Sequence, residues 1–148
     1  MDKSPISPCA GCIVYGYDKF NVLYFALVKT HNDNWSFPKG KKNKGETLGQ
    51  AGFRETREET GIREDQIELL EDKYLYELSD KGNLATTYFT GKCTNIVNPQ
   101  QLSLDFEDKD ELKHAQWISY EKVINWDINM GVIKERRIDL VKQVKKLL

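Results

Sequence analysis

An α/β/α sandwich is predicted by three features of this 148-residue chain. Two pairs of runs rich in Val, Ile, Tyr and Phe flank one long helical segment, and an amphipathic segment closes the sequence. A sheet with a helix on one face needs apolar cover on the other, and the closing helix can supply it.

In order, Cys9 to Tyr17 and Val22 to Lys29 read as strands joined by a turn at Asp18-Lys19. A polar HNDN loop leads into Trp35-Ser36-Phe37-Pro38, where Pro38 ends any strand and Gly40 permits a sharp turn. Leu48 to Thr60 is the central helix, with Glu46 or Thr47 near its start and Gly61 as its C-cap. Gly49 and Gly52 each cost about 1 kcal/mol against Ala inside a helix. Close approach to the sheet or loop beneath would explain them. Ile67 to Leu78 and Leu84 to Cys93 form a hairpin across Ser79 to Asn83. Next come Asn98-Pro99, a short apolar piece at Leu102 to Phe106 and an acidic loop. A strand at Ala115 to Ser119 and a short helix at Tyr120 to Asn125 follow. From Val132 onward, Ile133, Arg137, Leu140, Val141, Val144 and Leu148 recur at helical spacing.

The length suits one domain over residues 1–148, able to bury about two-thirds of its unfolded surface. With 39% hydrophobic and 30% charged residues, the composition is globular rather than disordered. A net charge of −1 exerts no global pull toward nucleic acid or an anionic membrane. No apolar run approaches the roughly 18 residues that span a bilayer. MDKSPISP lacks the apolar stretch of a secretory leader. No membrane partner is therefore expected, with location in the cytoplasm or, in a eukaryote, the nucleus; a monomer is also expected. Cys9 and Cys12 form a CxxC, but no second pair or paired histidines accompany it, and strand rather than helix follows. These thiols and the lone Cys93 read as buried or incidental.

The chemistry concentrates in Gly40 to Ile62, GKKNKGETLGQAGFRETREETGI. Glu55 and Glu59 are one helical turn apart, and Glu58 lies on the adjacent edge of the same face. Like charges at that spacing destabilise a helix by about 0.2–0.5 kcal/mol per pair. Such a cluster calls for a counter-charge. Hard divalent cations bind carboxylate oxygens, and Mg²⁺ characteristically shares its coordination among a few carboxylates, substrate phosphates and water.

This stretch resembles the Nudix box, G-x5-E-x7-R-E-U-x-E-E-x-G-U, where U is a bulky aliphatic residue. Gly40, Glu46, Arg54, Glu55, Glu58, Glu59, Gly61 and Ile62 fall in place. Thr56 stands where an aliphatic residue is called for; it keeps the β-branched shape, and dinucleoside polyphosphate hydrolases of the family often carry it. The resemblance implies a sandwich with a mixed central sheet. It implies one to three Mg²⁺ or Mn²⁺ ions on Glu55, Glu58 and Glu59, joined by the carbonyl of Gly40. Such ions lower the pKa of water, orient phosphates and stabilise developing charge, so that water rather than a protein nucleophile attacks phosphorus. Arg54 would brace the carboxylates, and Glu46 the junction of loop and helix. The proton acceptor would be a glutamate of the helix, Glu55 or Glu58, or one from a later loop. Glu111 is the loop candidate for metal or base, since Glu111 to Trp117 resembles the E-x5-aromatic segment of dinucleoside polyphosphate hydrolases. Asp105, Glu107, Asp108 and Asp110 crowd the same loop.

Trp35 to Gly40 resembles the W-x-x-P-K-G segment of dinucleoside tetraphosphate hydrolases and the corresponding segment of mRNA-decapping enzymes. It implies substrate contacts at Trp35 and Lys39, with Lys41 in a locally basic loop beside Lys42 and Lys44. Tyr88 matches a tyrosine that stacks on a purine, a contact worth about 1–3 kcal/mol, with Tyr74 and Tyr76 as substitutes. His31 and His114 read as exposed loop residues. Lys134, Arg136, Arg137, Lys142, Lys145 and Lys146 read as the solvated side of the last helix. The implied substrate is a nucleotide phosphoanhydride, foremost a dinucleoside polyphosphate such as diadenosine tetraphosphate. The alternatives are an RNA 5′ end or mRNA cap and a diphosphoinositol polyphosphate. Retention of every box glutamate argues against a binding module that has lost catalysis.

Overall fold

The computed structural model describes residues 7–148, except for the side chains of residues 71–73. Most of the stretch read for a secretory leader, residues 1–6, lies outside the described residues. The elements are β1 (Cys9–Tyr17), β2 (Leu23–Thr30), β3 (Asn34–Ser36), β4 (Lys39–Lys41), α1 (Leu48–Thr60), β5 (Ile67–Leu78), β6 (Leu84–Cys93), β7 (Leu112–Ser119), α2 (Tyr120–Ile124), β8 (Val132–Ile133) and α3 (Glu135–Leu147).

β1 is the hub of a mixed sheet. One edge runs parallel to β6, from Cys9 opposite Thr86 to Tyr15 opposite Lys92. The other edge is shared: Tyr15 to Tyr17 pair antiparallel with β2, and Cys9 to Gly11 pair antiparallel with β4. β5 extends the sheet beyond β6. β2 carries β7 along its length and β3 at its far end, and β8 runs parallel to β3.

Alternation along β1 sends side chains to two separate cores. Ala10, Cys12 and Val14 pack beneath α1 with Ala51, Phe89 and Trp117. Ile13 and Tyr15 face the other way, onto Phe25, Tyr88 and the Leu140, Val141 and Val144 stripe of α3. Helices on both faces of a mixed sheet complete the sandwich.

Local chemistry defines α1. Thr47 Oγ1 accepts from the Gln50 amide at 3.1 Å while Gln50 Oε1 accepts from the Thr47 amide at 2.9 Å, a reciprocal cap. Gly61, at φ 76°, ends the helix in the left-handed conformation and donates to the Arg57 carbonyl. A Cβ on Gly52 would lie 3.1 Å from the Gly11 carbonyl oxygen and 3.3 Å from Phe89, so this glycine lets α1 settle onto β1. Gly49 makes only ordinary contact, 3.7 Å from Phe89. The cost at position 49 therefore lacks that explanation.

Three expectations need correction. Val132 and Ile133 are strand rather than helix, because pairing with Asn34 and Trp35 captures them. The helix starts only at Glu135 and leaves Leu148 outside. Asn34, read as loop, opens β3. The CxxC reading as buried or incidental thiols fits the geometry: Cys9 and Cys12, three apart on a strand, point to opposite faces, and burial pushes the Cys12 thiol up to about 12.

Candidate active site

The C-terminal half of α1, strand β4 and the loop before β7 meet at one place. Packing fixes how closely they approach. A Cβ on Gly40 would overlap the Glu55 carboxylate, and one on Gly61 would lie 2.5 Å from the Asp105 carbonyl oxygen. The loop is fastened to the helix through its backbone: the amides of Glu107 and Asp108 donate to the Glu58 carbonyl at 2.7 and 3.3 Å. Asp108 Oδ1 then accepts from the Glu111 amide at 3.2 Å, which turns the chain back toward α1.

Arg54 is the centre of one acidic group. Its Nε donates to Glu46 Oε2 at 2.7 Å and its Nη2 to Glu46 Oε1 at 3.0 Å, a bidentate pair. Nη1 reaches Glu55 at 2.9 Å and Glu58 at 3.3 Å, and Nη2 also reaches the Lys41 carbonyl at 3.0 Å. One guanidinium thus ties Glu46, Glu55 and Glu58 to β4. Hydrogen bonding from Arg54 holds the Glu46 carboxyl below its ordinary range.

Glu59 belongs to a second group. It is 3% exposed, and its Oε1 accepts from the Lys39 amide at 3.1 Å. Oxygens of Glu59, Asp108 and Glu111 lie within 4.8 Å of one another. Burial pushes the Glu59 carboxyl up to about 8; the Lys39 amide opposes this, and Glu55, Asp108 and Glu111 add to it. Burial also raises Glu55, against the pull of Arg54.

The donors of both groups are carboxylate oxygens, hard ligands of the type Mg²⁺ and Mn²⁺ take. Gly40 leaves room for the Glu55 carboxylate against β4. The residues therefore fit a divalent cation, with Glu55, Glu58, Glu59, Asp108 and Glu111 able to hold it. The sequence reading placed the cluster on one helix. The structure divides it, Glu55 and Glu58 on Arg54 and Glu59 with the loop acids. Asp108 was passed over because nothing in an acidic run says which carboxylate turns inward.

The substrate residues fare differently. Tyr88, expected to stack on a purine, is 0% exposed: its ring packs edge-on against Phe37 and its hydroxyl donates to Glu77 at 2.8 Å. Trp35, at 3% exposed, donates from Nε1 to the Met130 carbonyl and packs against Trp126. Both are corrected to core residues, since strand alternation turns them under α3 rather than toward solvent. Tyr74 likewise packs on Phe89. Tyr76 is exposed and shares a row with Thr87, Ala10 and Gly40 across four strands, about 14 Å from the box at ordinary strand spacing. Lys39 is half-buried and meets Glu59 through its backbone amide, and Lys41 is exposed. His31 contacts the acidic loop, Nε2 lying 3.1 Å from the Lys109 carbonyl, while His114 is exposed on β7.

A family profile described as "NUDIX domain" matches residues 6–139. The RNA pyrophosphohydrolase of Sphingopyxis alaskensis is 33% identical over 82 residues, 53% of this chain and 51% of that protein. The chain thus spans about half the length of that relative. The RNA pyrophosphohydrolase of Pseudomonas putida strain GB-1 is 29% identical over 133 residues, 81% of this chain and 80% of that protein. Among solved structures, a Caenorhabditis elegans Ap4A hydrolase binary complex superposes with a TM-score of 0.74. It is 21% identical, over 94% of this chain and 96% of that one, a likeness of fold.

Proposed function

The chain belongs to the NUDIX hydrolase family, and on that premise we propose that it cleaves nucleotide phosphoanhydrides with the help of a divalent cation, water attacking phosphorus. The observation that carries this reading is the convergence of two acidic groups on strand β4 at Lys39 and Gly40, one gathered by Arg54 and the other formed by Glu59, Asp108 and Glu111. A cation held there would draw charge from the phosphates and lower the pKa of water.

The chain's own residues then divide the work. Arg54 orients Glu55 and Glu58 and keeps their oxygens together despite like charge. The side chain of Lys39 takes a phosphate oxygen. Glu111 accepts the proton of the attacking water: among the described residues its carboxylate takes no hydrogen bond, so a lone pair is free, whereas Glu55 and Glu58 face Arg54. Lys41 lies along the approach, and Tyr76 is the exposed aromatic left to meet a base. The whole chain acts as one domain and as a monomer.

A dinucleoside polyphosphate such as diadenosine tetraphosphate is the first substrate reading, supported by Thr56 and the Trp35 to Gly40 segment. A 5′-triphosphorylated RNA end is the second, favoured by the burial of Tyr88 and by the relatives named RNA pyrophosphohydrolases. Hydrolysis of a panel holding both, with Mg²⁺ in ¹⁸O-water and mass spectrometry of the products, tests the proposal. Label in a released phosphate or nucleotide is expected. An untouched panel would refute the reading.

A further inference from the structure

Glu77 and Arg137 lie across the sheet from the box, and the reaction as described uses neither. Glu77 is 2% exposed and Arg137 7%. The Glu77 carboxylate accepts from Arg136 Nε at 2.7 Å, Tyr88 Oη at 2.8 Å and Arg137 Nε at 3.1 Å. Burial alone would raise its pKa, but the Arg137 charge and these donors hold it below the ordinary range. Arg137 uses its Nη1 on the Trp35 carbonyl at 3.0 Å.

A buried ion pair is a poor device for stability alone. Desolvation cancels much of its attraction, and apolar residues of similar volume are often at least as stable. What such a pair can supply is fixed geometry. Here the geometry is handed to the segment that ends at Lys39. Arg137 holds the carbonyl of Trp35. Tyr88, hydrogen-bonded to the same carboxylate, sets its ring edge-on to Phe37 with centroids 5.1 Å apart. The Pro38 carbonyl next accepts from the Cys12 amide at 3.2 Å, and the Lys39 amide donates to Glu59 at 3.1 Å.

We propose that Glu77, Arg137 and Tyr88 are positioning residues, a clamp behind the sheet that sets the Trp35 to Lys39 segment and, through the Lys39 amide, the carboxylate of Glu59. The role assigned to Glu59 rests on the hydrolase reading; the mechanical link does not. Two variants separate clamp from filler: the apolar pair Glu77→Leu/Arg137→Met, and Tyr88→Phe, which removes one oxygen and keeps the ring.

The first readout is amide hydrogen exchange by NMR on the protein free of metal and substrate. In the double variant the Lys39 amide is expected to exchange at least about ten-fold faster, while amides of Ile13, Phe25 and the middle of α1 keep their rates. Steady-state kinetics should show a fall in kcat with KM unchanged. Unchanged protection at Lys39, or equal acceleration of every sheet amide, would overturn the proposal, as would a loss confined to KM. If the double variant does not fold, Tyr88→Phe carries the same comparison. A wild-type protein inactive on every nucleotide would sink the hydrolase reading and leave the exchange result to decide the clamp.

Discussion

Gly40 and Glu55 compete for one space: a Cβ on the first would overlap the carboxylate of the second. Gly40 is not among the glycines with positive φ, so its backbone would accept alanine and the whole penalty falls on Glu55. Gly40→Ala is therefore expected to push the Glu55 carboxylate off β4 while the fold survives. Titration calorimetry with Mn²⁺ should show affinity weakened about 10–100-fold, with the circular dichroism spectrum unchanged. Wild-type affinity would mean that Glu55 does not hold the cation.

Glu59 makes the metal-free protein sensitive to pH in a calculable direction. Its carboxyl is raised from an ordinary 4.5 to about 8 by burial. Between those values the folded state binds more protons than the unfolded one, so stability falls as pH rises. The contribution is complete below pH 4.5 and lost by pH 8 and above. Glu59→Gln keeps an acceptor for the Lys39 amide without the charge. At pH 8.5 and without metal it should melt about 5 °C or more above wild type, and the two curves should converge near pH 5. In wild type at pH 7, Mn²⁺ uptake should release close to one proton, detected calorimetrically in buffers of different ionisation enthalpy. Identical melting at pH 8.5 would show that Glu59 is not held protonated.

Much of the site was legible because its logic is local. Glu55, Glu58, Glu59, Arg54, Thr47 and Gly61 sit within one helix and its caps, and spacing along a helix fixes which of them share a face. What escaped was set by distant partners. Tyr88 and Trp35 lie on strands whose pattern shows alternation but not which face α3 will cover. β8 is too short to announce itself and exists because β3 pairs with it. The Glu77–Arg137 pair spans 60 positions. Arg137, read with Arg136 as part of the solvated side of α3, is buried instead, although it also interrupts the apolar stripe at a position that periodicity assigns to the core. A charged residue on a buried stripe implies a buried partner.

Arg54 cannot be replaced by lysine on this geometry. Its three nitrogens serve Glu46, Glu55, Glu58 and the Lys41 carbonyl at once, which a single ammonium cannot span. Arg54→Lys should fold and keep its net charge, yet lose about 10–100-fold in kcat, with little change in KM. The loss should be the same from pH 6 to 9, because neither side chain titrates there. An activity within two-fold of wild type would remove Arg54 from the positioning role.

Asp108 carries two duties that one pair of variants can separate. Its Oδ1 accepts from the Glu111 amide at 3.2 Å, which shapes the loop, and its charge stands beside Glu59 and Glu111. Asparagine retains the acceptor and loses the charge; alanine loses both. If the charge helps to hold the cation, Asp108→Asn should weaken Mn²⁺ binding about ten-fold while leaving the melting temperature of the metal-free protein at or slightly above wild type. The same variant should lower the Glu59 pKa, because one of the like charges that raise it is gone. Asp108→Ala should weaken binding further by releasing Glu111. Should Asp108→Asn bind as wild type while Asp108→Ala fails, Asp108 is a loop cap only, and Glu111 alone completes the second acidic group.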